Sequence, residues 1–175
     1  MSRLPSFPPL LALVVIFGTM ALEALRSAAN ERALRDAGAR EVPDPSYSWM
    51  QVVYPAGFLA VCLEGWWRGA QWDAWAAAGV VLFVAGKAIK YAAITALGRR
   101  WTFRVLTLPG APLVSHGVYR VLRHPNYVGV AGEVLGSALW MRAPITGTLF
   151  AVTFGLILFR RIQIEERALG LVPRA

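Results

Sequence analysis

Cysteine and histidine are nearly absent from this chain. Among 175 residues there is one cysteine, Cys62, and there are two histidines, His116 and His124. A disulfide within the chain is therefore excluded, and so is a zinc site built from several cysteines. A site on the two histidines would need more ligands than the chain clearly offers, so we predict no metal.

Acidic residues are also scarce. Ten Asp and Glu stand against 18 Lys and Arg, which leaves a net charge of +8. A basic chain of this kind invites comparison with nucleic-acid-binding proteins. The basic residues alternate with apolar runs, however, and do not form one patch, so we expect no nucleic-acid partner.

Apolar residues dominate what remains. They make up 57% of the chain, the mean hydropathy is +0.49, and there are seven Trp. Soluble domains are usually about 45–50% apolar. We predict one all-α integral membrane domain over residues 1–175. Arg3 and the apolar run Leu10–Leu25 resemble a signal peptide, but no clear cleavage site follows and more spans do, so we expect a retained span.

Five membrane spans can be drawn, at about 20 residues for each crossing. They cover about residues 7–25, 48–67, 74–97, 126–141 and 145–162. The charged stretch 26–44 is expected to be helical until Pro43 and Pro45 stop it. Residues 171–175 resemble a thrombin-type linker or are equally well native, and we assign them no function.

The loops divide the positive charge unequally. Thirteen Arg fall on the side of the first loop, the third loop and the C-terminus, and three fall on the other side. Cytoplasmic loops carry the excess of Lys and Arg. The sequence therefore predicts that the third loop and the C-terminal end face the cytoplasm.

A short motif, Arg123-His124-Pro125-Asn126-Tyr127, opens the fourth span. Pro125 biases His124 away from helical geometry and suits the first turn of a helix. The free N–H groups at such a helix start favour an anion, and His titrates near neutrality. A plain helix entrance, with an arginine on lipid headgroups, fits the same residues.

Two adjacent carboxylates, Glu165 and Glu166, follow the last apolar run. On a helix they point about 100° apart, so one can face inward while the other meets solvent or an arginine. The alternative is a solvated helix end paired with Arg161 or Arg167.

Lys87, Lys90 and Glu133 lie inside predicted spans. Lys90 and Glu133 lie roughly 10 Å deep at 1.5 Å per residue, which makes a pair of Glu133 with Lys90 or Lys87 plausible. Snorkelling of the two lysines is the alternative.

Two further groups have two interpretations each. Gly129, Gly132 and Gly136 fit close helix packing, or leave room for a ligand. Trp101 and Arg104 fit an aromatic belt at the membrane interface, or contacts to the head group of an amphipathic substrate.

The stretch Gly117-Val118-Tyr119-Arg120, the Arg123–Gly129 stretch and the distal Glu pair together resemble the isoprenylcysteine carboxyl methyltransferases. They are also similar to the related membrane phospholipid methyltransferases. The resemblance covers roughly the last 85 residues and implies a membrane-embedded enzyme that uses S-adenosylmethionine, with a cofactor-binding part at about residues 98–170. It implies that the cofactor is bordered by Tyr119, Arg123, His124, Pro125, Tyr127, Gly129, Glu165 and Glu166.

The acceptor implied by the resemblance is a lipophilic small molecule in a membrane. For the small bacterial members, the implied membrane is the bacterial inner membrane. The segment 97–110 resembles those members, some of which methylate hydroxyls of long-chain polyketides, whereas the first spans do not match the eukaryotic enzymes. For a carboxylate acceptor, Arg104 or Arg120 would place it; for a hydroxyl, His124 is the candidate base. A non-catalytic protein on this scaffold, or a membrane reductase, are the alternatives.

Overall fold

Five helices account for most of the chain. The computed structural model describes residues 7–171, so Arg3, Arg174 and nearly all of the segment 171–175 lie outside it. The helices are α1 (Phe7–Asp36), α2 (Ser46–Trp67), α3 (Ala74–Leu97), α4 (Pro125–Trp140) and α5 (Pro144–Ala168). The predicted all-α helix bundle is confirmed, and the predicted limits of the third span are those of α3.

Three of these helices, α1, α3 and α5, are long and apolar enough to cross a membrane by length and composition. The other two predicted spans are helical but depart from that standard. α2 carries Pro55 and a buried Glu64 within its length. α4 has 16 residues and is about 24 Å long, less than the roughly 30 Å of a bilayer core.

The first helix is longer than predicted. α1 runs without a break through the charged stretch and ends at Asp36, close to Gly38 with its φ of 86°. The expected stop at Pro43 and Pro45 is therefore wrong, because a left-handed glycine ends the helix first. The chain then forms β1 (Arg40–Glu41), which pairs antiparallel with β2 (Leu106–Thr107). Strands of two residues are too short to show an alternating pattern, so the sequence did not predict them.

Glycines set the closest helix contact, that between α3 and α4. A Cβ atom built on Gly86 would lie 2.6 Å from the carbonyl oxygen of Gly129, and one on Gly136 would lie 2.4 Å from the backbone nitrogen of Phe83. Gly132 meets the same turn of α3, with Gly86 Cα at 2.9 Å. The packing interpretation of the α4 glycines is confirmed, since backbones approach closely where side chains are missing.

A buried charged cluster joins α1, α3 and α4. Lys87 Nζ lies 2.8 Å from Glu23 Oε1 and 3.1 Å from Glu133 Oε2. Lys90 Nζ lies 2.5 Å from Glu23 Oε2 and 3.3 Å from Glu133 Oε1. Tyr54 of α2 donates to Glu133 at 2.8 Å. We call these five residues the membrane cluster.

Both predicted pairings of Glu133 are confirmed, and snorkelling of the lysines is not what the structure shows. The lysine side chains are only 12% and 3% exposed. The sequence did not predict the second carboxylate, Glu23. The predicted first span ends at residue 25, which places Glu23 near the membrane surface and not at the depth of Lys90 and Glu133. Two lysines against two glutamates leave the cluster neutral, which suits an apolar surrounding.

Two carboxylates stabilise the end of the bundle at which α2 and α4 finish and α3 and α5 begin. Glu64 of α2 accepts hydrogen bonds from the backbone nitrogens of Ile145 (3.3 Å) and Thr146 (2.7 Å), and so caps the start of α5. Asp73 caps α3 through Ala76 N and pairs with Arg142 at 2.5 Å. Both arrangements place negative charge at a helix N-terminus, where the macrodipole favours it.

The glycine contact leads to a prediction for Gly86→Ala. We expect the free energy of unfolding to fall by about 1–3 kcal/mol, because the new methyl group meets backbone atoms that have no room to shift. Thermal unfolding in detergent measures this. Gly155→Ala is the control, since nothing lies within 4 Å of its Cβ position; equal losses in both variants would contradict the packing argument.

The membrane cluster leads to a prediction for Glu23→Gln. Both lysines then lose a carboxylate, and breaking a buried pair costs about 3–5 kcal/mol. The control, Glu41→Gln, removes the partner of Arg35 and Arg104 at the surface, where a pair contributes about 0–1 kcal/mol. A Glu23→Gln loss as small as that of the control, in thermal or denaturant unfolding, would show that the cluster does not stabilise the bundle.

Candidate active site

The motif at the start of α4 meets the Glu pair at the end of α5. His124 Nε2 lies 3.0 Å from Glu166 Oε1, and Arg123 Nε lies 3.3 Å from the same oxygen. Pro125 occupies the first turn of α4 and His124 precedes it with ψ 61°, outside helical geometry. The predicted helix start at Pro125 is thus confirmed, and within residues 7–171 the side chain of its N-cap residue, His124, makes no capping hydrogen bond.

The second carboxylate of the pair faces a buried arginine. Arg161 is one turn before Glu165 on α5, and its Nε lies 3.6 Å from Glu165 Oε1 and 3.4 Å from the Tyr127 hydroxyl. The rings of His124 and Tyr127 lie 5.9 Å apart. We call Arg123, His124, Tyr127, Arg161 and the two glutamates the Glu-pair cluster.

Each glutamate of the pair therefore has its own arginine. Glu166 pairs with Arg123, whose side chain is 59% exposed, and Glu165 pairs with Arg161, which is 3% exposed. The alternative of a solvated helix end paired with Arg161 is half right. The pairing exists, but Arg161 is buried, while the Glu165 side chain is 27% exposed.

A loop between α3 and α4 forms the wall beside this cluster, and α1 holds it. Asn30 of α1 donates its side-chain amide to the carbonyl oxygens of Gly98 (3.2 Å) and Trp101 (2.7 Å). Ser27 Oγ accepts from Phe103 N at 2.7 Å. The far half of α1 thus acts as a support for the loop segment 98–103.

Trp101 is not part of an interface belt. It is 3% exposed, and its indole N–H donates to the Asn126 side chain at 3.1 Å. The interpretation as an interfacial aromatic residue is therefore wrong, because the ring packs inside the protein and holds the second residue of α4.

Tyr119 lies in the short helical turn Gly117–Arg120, which packs against α3. Burial raises the pKa of its hydroxyl to about 12, and the negative charge of Glu165 adds to that effect. The phenol therefore stays protonated over the physiological range, as a hydrogen-bond donor near the Glu pair.

Other predicted site residues have different surroundings. Gly129 faces Gly86 and Lys90 of α3, so helix packing accounts for it and the ligand-space interpretation finds no room on that side. Arg104 pairs with Glu41 (2.5 Å) and Glu31 (3.6 Å) and stacks on Tyr47. Arg120 is exposed at the end of its turn.

Two functional candidates were missed from the sequence. The sequence indicates Arg161 only as a partner of the Glu pair at a solvated helix end, and Asp44 only as the end of a charged stretch. Arg161 donates to Asp44 and to the carbonyl oxygen of Phe103. No local pattern links positions so far apart in the chain, although an arginine inside an otherwise apolar helix was a usable signal.

Comparisons with known proteins identify the family. Residues 79–170 match the model of the isoprenylcysteine carboxyl methyltransferase (ICMT) family. The chain belongs to this family, which supports a membrane-bound methyltransferase. The matched part includes α4, α5 and every residue of the Glu-pair cluster. No solved structure matches the chain.

This chain matches different shares of the length of its relatives. "Uncharacterized protein YpbQ" of Bacillus subtilis is 28% identical over 159 residues, which is 91% of this chain and 95% of the relative. Protein-S-isoprenylcysteine O-methyltransferase A of Arabidopsis thaliana is 33% identical over 90 residues, or 50% of this chain and 46% of the plant enzyme. The mouse enzyme of that name is 31% identical over 98 residues, 34% of its length. The chain thus spans less than half of these named enzymes.

We predict that Tyr119→Phe removes a phenol that ionises near pH 12 and not near the ordinary value of 10.0. A raised pKa means that the folded protein holds the proton more tightly than the unfolded chain. Its stabilising contribution is complete below about pH 10 and is lost as the pH rises toward 12. An ultraviolet difference titration of wild type against the variant measures the pKa. If the phenol that the variant lacks instead titrates near pH 10, burial of Tyr119 is contradicted.

Proposed function

We propose that this chain is an integral membrane O-methyltransferase that transfers a methyl group from S-adenosylmethionine to a lipophilic acceptor. One observation carries the proposal: His124 and Arg123 share an oxygen of Glu166, although 42 positions separate His124 from Glu166. Two further observations support the proposal: the chain belongs to the family, and the Glu-pair cluster lies at one end of a bundle of apolar helices.

The donor set fits the cofactor's chemistry. S-adenosylmethionine carries an ammonium, a carboxylate, a ribose and a sulfonium. Glu165 and Glu166 suit the ammonium or the ribose hydroxyls, while Arg123 and the uncapped first turn of α4 suit the carboxylate. Tyr119 and Tyr127 supply aromatic rings of the kind that bind a cationic sulfur. When bound, the cofactor would supply a methyl group for transfer from its sulfonium to the acceptor oxygen, with a neutral thioether as the leaving group.

The protein then has to align the methyl donor with the acceptor and to exclude water from the site. His124 is 20% exposed and its Nε2 faces Glu166, which orients the ring. Among residues 7–171, its Nδ1 atom has no hydrogen-bond partner. For a hydroxyl acceptor, His124 would take the proton; for a carboxylate, no base is needed.

The surroundings of the arginines bear on the acceptor. Arg104 already pairs with two glutamates, so binding a carboxylate there would have to displace them. Arg120 is the freer candidate because it is exposed. We propose a long-chain hydroxyl compound as acceptor, with an isoprenylcysteine-like carboxylate as the second candidate. The names of the plant and mouse relatives favour the carboxylate.

The proposed orientation places the Glu-pair cluster at the cytoplasmic face. The basic residues around it, such as Arg99, Arg100 and Arg160, are exposed. Excess arginine marks cytoplasmic loops. A soluble cofactor made in the cytoplasm would then reach the site directly.

We expect Glu166→Gln and His124→Ala to weaken S-adenosylmethionine binding, as measured by calorimetry of the full chain in detergent. Loss of a hydrogen bond to a charged group, about 1.5–3 kcal/mol, corresponds to at least tenfold in Kd. Asp73→Asn is the control, because it makes the same carboxylate-to-amide change in an arginine pair at the opposite end. Unchanged binding in both variants would overturn the site assignment.

The class of reaction has its own test. The folded protein is incubated with methyl-labelled cofactor and a bacterial lipid extract, and the labelled product is identified by mass spectrometry. A base-stable aryl or enol ether indicates a hydroxyl acceptor, and a base-labile ester indicates a carboxylate. Absence of cofactor binding by folded wild-type protein at millimolar concentration would overturn the proposed function.

A further inference from the structure

We propose that Asp44, which lies outside the family-matched region, is a positioning residue that keeps Glu165 available to a cationic cofactor by neutralising Arg161. The inference rests on the proposed function, and it concerns a loop that the resemblance does not cover.

Arg161 is the centre of the arrangement. Its side chain is 3% exposed, and its guanidinium reaches four groups on four parts of the chain. NH1 pairs with Asp44, NH2 donates to the Phe103 carbonyl, and Nε faces the Tyr127 hydroxyl at 3.4 Å and Glu165 at 3.6 Å. The planar fork of a guanidinium allows such fixed, divergent contacts.

Asp44 is as deeply buried as its partner. Its side chain is 4% exposed, and its two oxygens have different tasks. Oδ1 accepts from the Ser46 backbone nitrogen at 2.9 Å, at the start of α2, while Oδ2 takes Arg161. One carboxylate therefore joins the beginning of α2 to the end of α5.

The charge balance explains why this matters for the site. Asp44 and Glu165 together place two negative charges against one buried guanidinium, so one negative charge is left over. The closer of the two partners is Asp44, in direct contact, whereas Glu165 stands 3.6 Å from Nε. Because Asp44 satisfies the arginine, Glu165 keeps its charge for another cation. S-adenosylmethionine, with an ammonium, a sulfonium and a carboxylate, carries a net positive charge.

Removal of the Asp44 charge has a defined consequence. A buried guanidinium needs a counter-charge, and Glu165, one helical turn away, is the nearest carboxylate left to Arg161. We expect Arg161 to turn toward Glu165, which draws that carboxylate away from the ligand and releases the Phe103 carbonyl. Binding weakens although no residue that touches the cofactor has changed.

The test uses Asp44→Asn in the full chain, with Asp73→Asn as the matched control. We expect the Kd for S-adenosylmethionine, by calorimetry in detergent, to rise about tenfold in Asp44→Asn, the lower end of the loss seen when a carboxylate that orients a metal ligand is removed, and not to change in the control. In methyl transfer, the KM for the cofactor should rise while kcat at saturating cofactor stays within about twofold. A merely structural role would lower thermal stability without this split.

Two further variants keep the test decisive. Asp44→Glu retains the charge and should bind the cofactor more tightly than Asp44→Asn. Because both changes act through one guanidinium, adding Asp44→Asn to Arg161→Lys should cost less than the two single effects combined. If Asp44→Asn does not fold, Asp44→Ser replaces it, since it also removes the charge, and wild-type affinity in Asp44→Ser overturns the proposal.

A measurement without cofactor separates the two hypotheses. Hydrogen exchange of peptides covering residues 160–168 and 101–105 should speed up in Asp44→Asn and not in Asp73→Asn. If wild type binds no cofactor, the proposed function fails, and unchanged exchange would independently show that Asp44 does not hold Arg161. If wild type binds and Asp44→Asn binds equally well, only the positioning role fails.

Discussion

Neutralisation of charge inside an apolar bundle is the constraint on which the rest of this structure depends. Glu23, Lys87, Lys90 and Glu133 lie among helices whose outer surfaces are apolar, and each side chain is nearly or fully buried. A single unpaired charge at the centre of a membrane helix costs about 2.5–3.5 kcal/mol on insertion scales. The four groups therefore require one another, and their mutual reach determines how α1, α3 and α4 are arranged. Tyr54 adds α2 to the same set.

The position of the Glu-pair cluster follows from this arrangement. α4 is fixed at its middle by Glu133 and along one side by the glycine contact with α3, so its first turn, with His124 and Pro125, has a defined place. α5 packs on α2 and α4 and brings Glu165 and Glu166 to that turn. The N-terminal third supplies what the family-matched part lacks, namely the loop support of α1 and the Asp44 contact to Arg161.

Regular features of the chain were predictable from the sequence, and long-range side-chain contacts were not. The limits of α3 follow from apolar length, the start of α4 from Pro125, and the Glu133 pairs from equal depth. The meeting of His124 with Glu166 was expected through a family resemblance, since no local pattern indicates it. Trp101 was misplaced because aromatic residues near a span are common both at interfaces and in cores. Arg161 and Asp44 were missed because burial of a charge depends on partners that only the fold brings together.

The length of α1 has a consequence for how the bilayer acts on this protein. Its 30 residues extend about 45 Å, well beyond a hydrocarbon core of roughly 30 Å. The apolar residues up to Leu25 can fill that core, and the charged residues 26–36 then extend beyond it. Ser27 and Asn30 lie in this extension, so a tilt of α1 in the bilayer would move the loop segment 98–103 that they hold, and with it the Phe103 carbonyl that Arg161 contacts. The tilt of α1 is in this way connected to the geometry around Glu165.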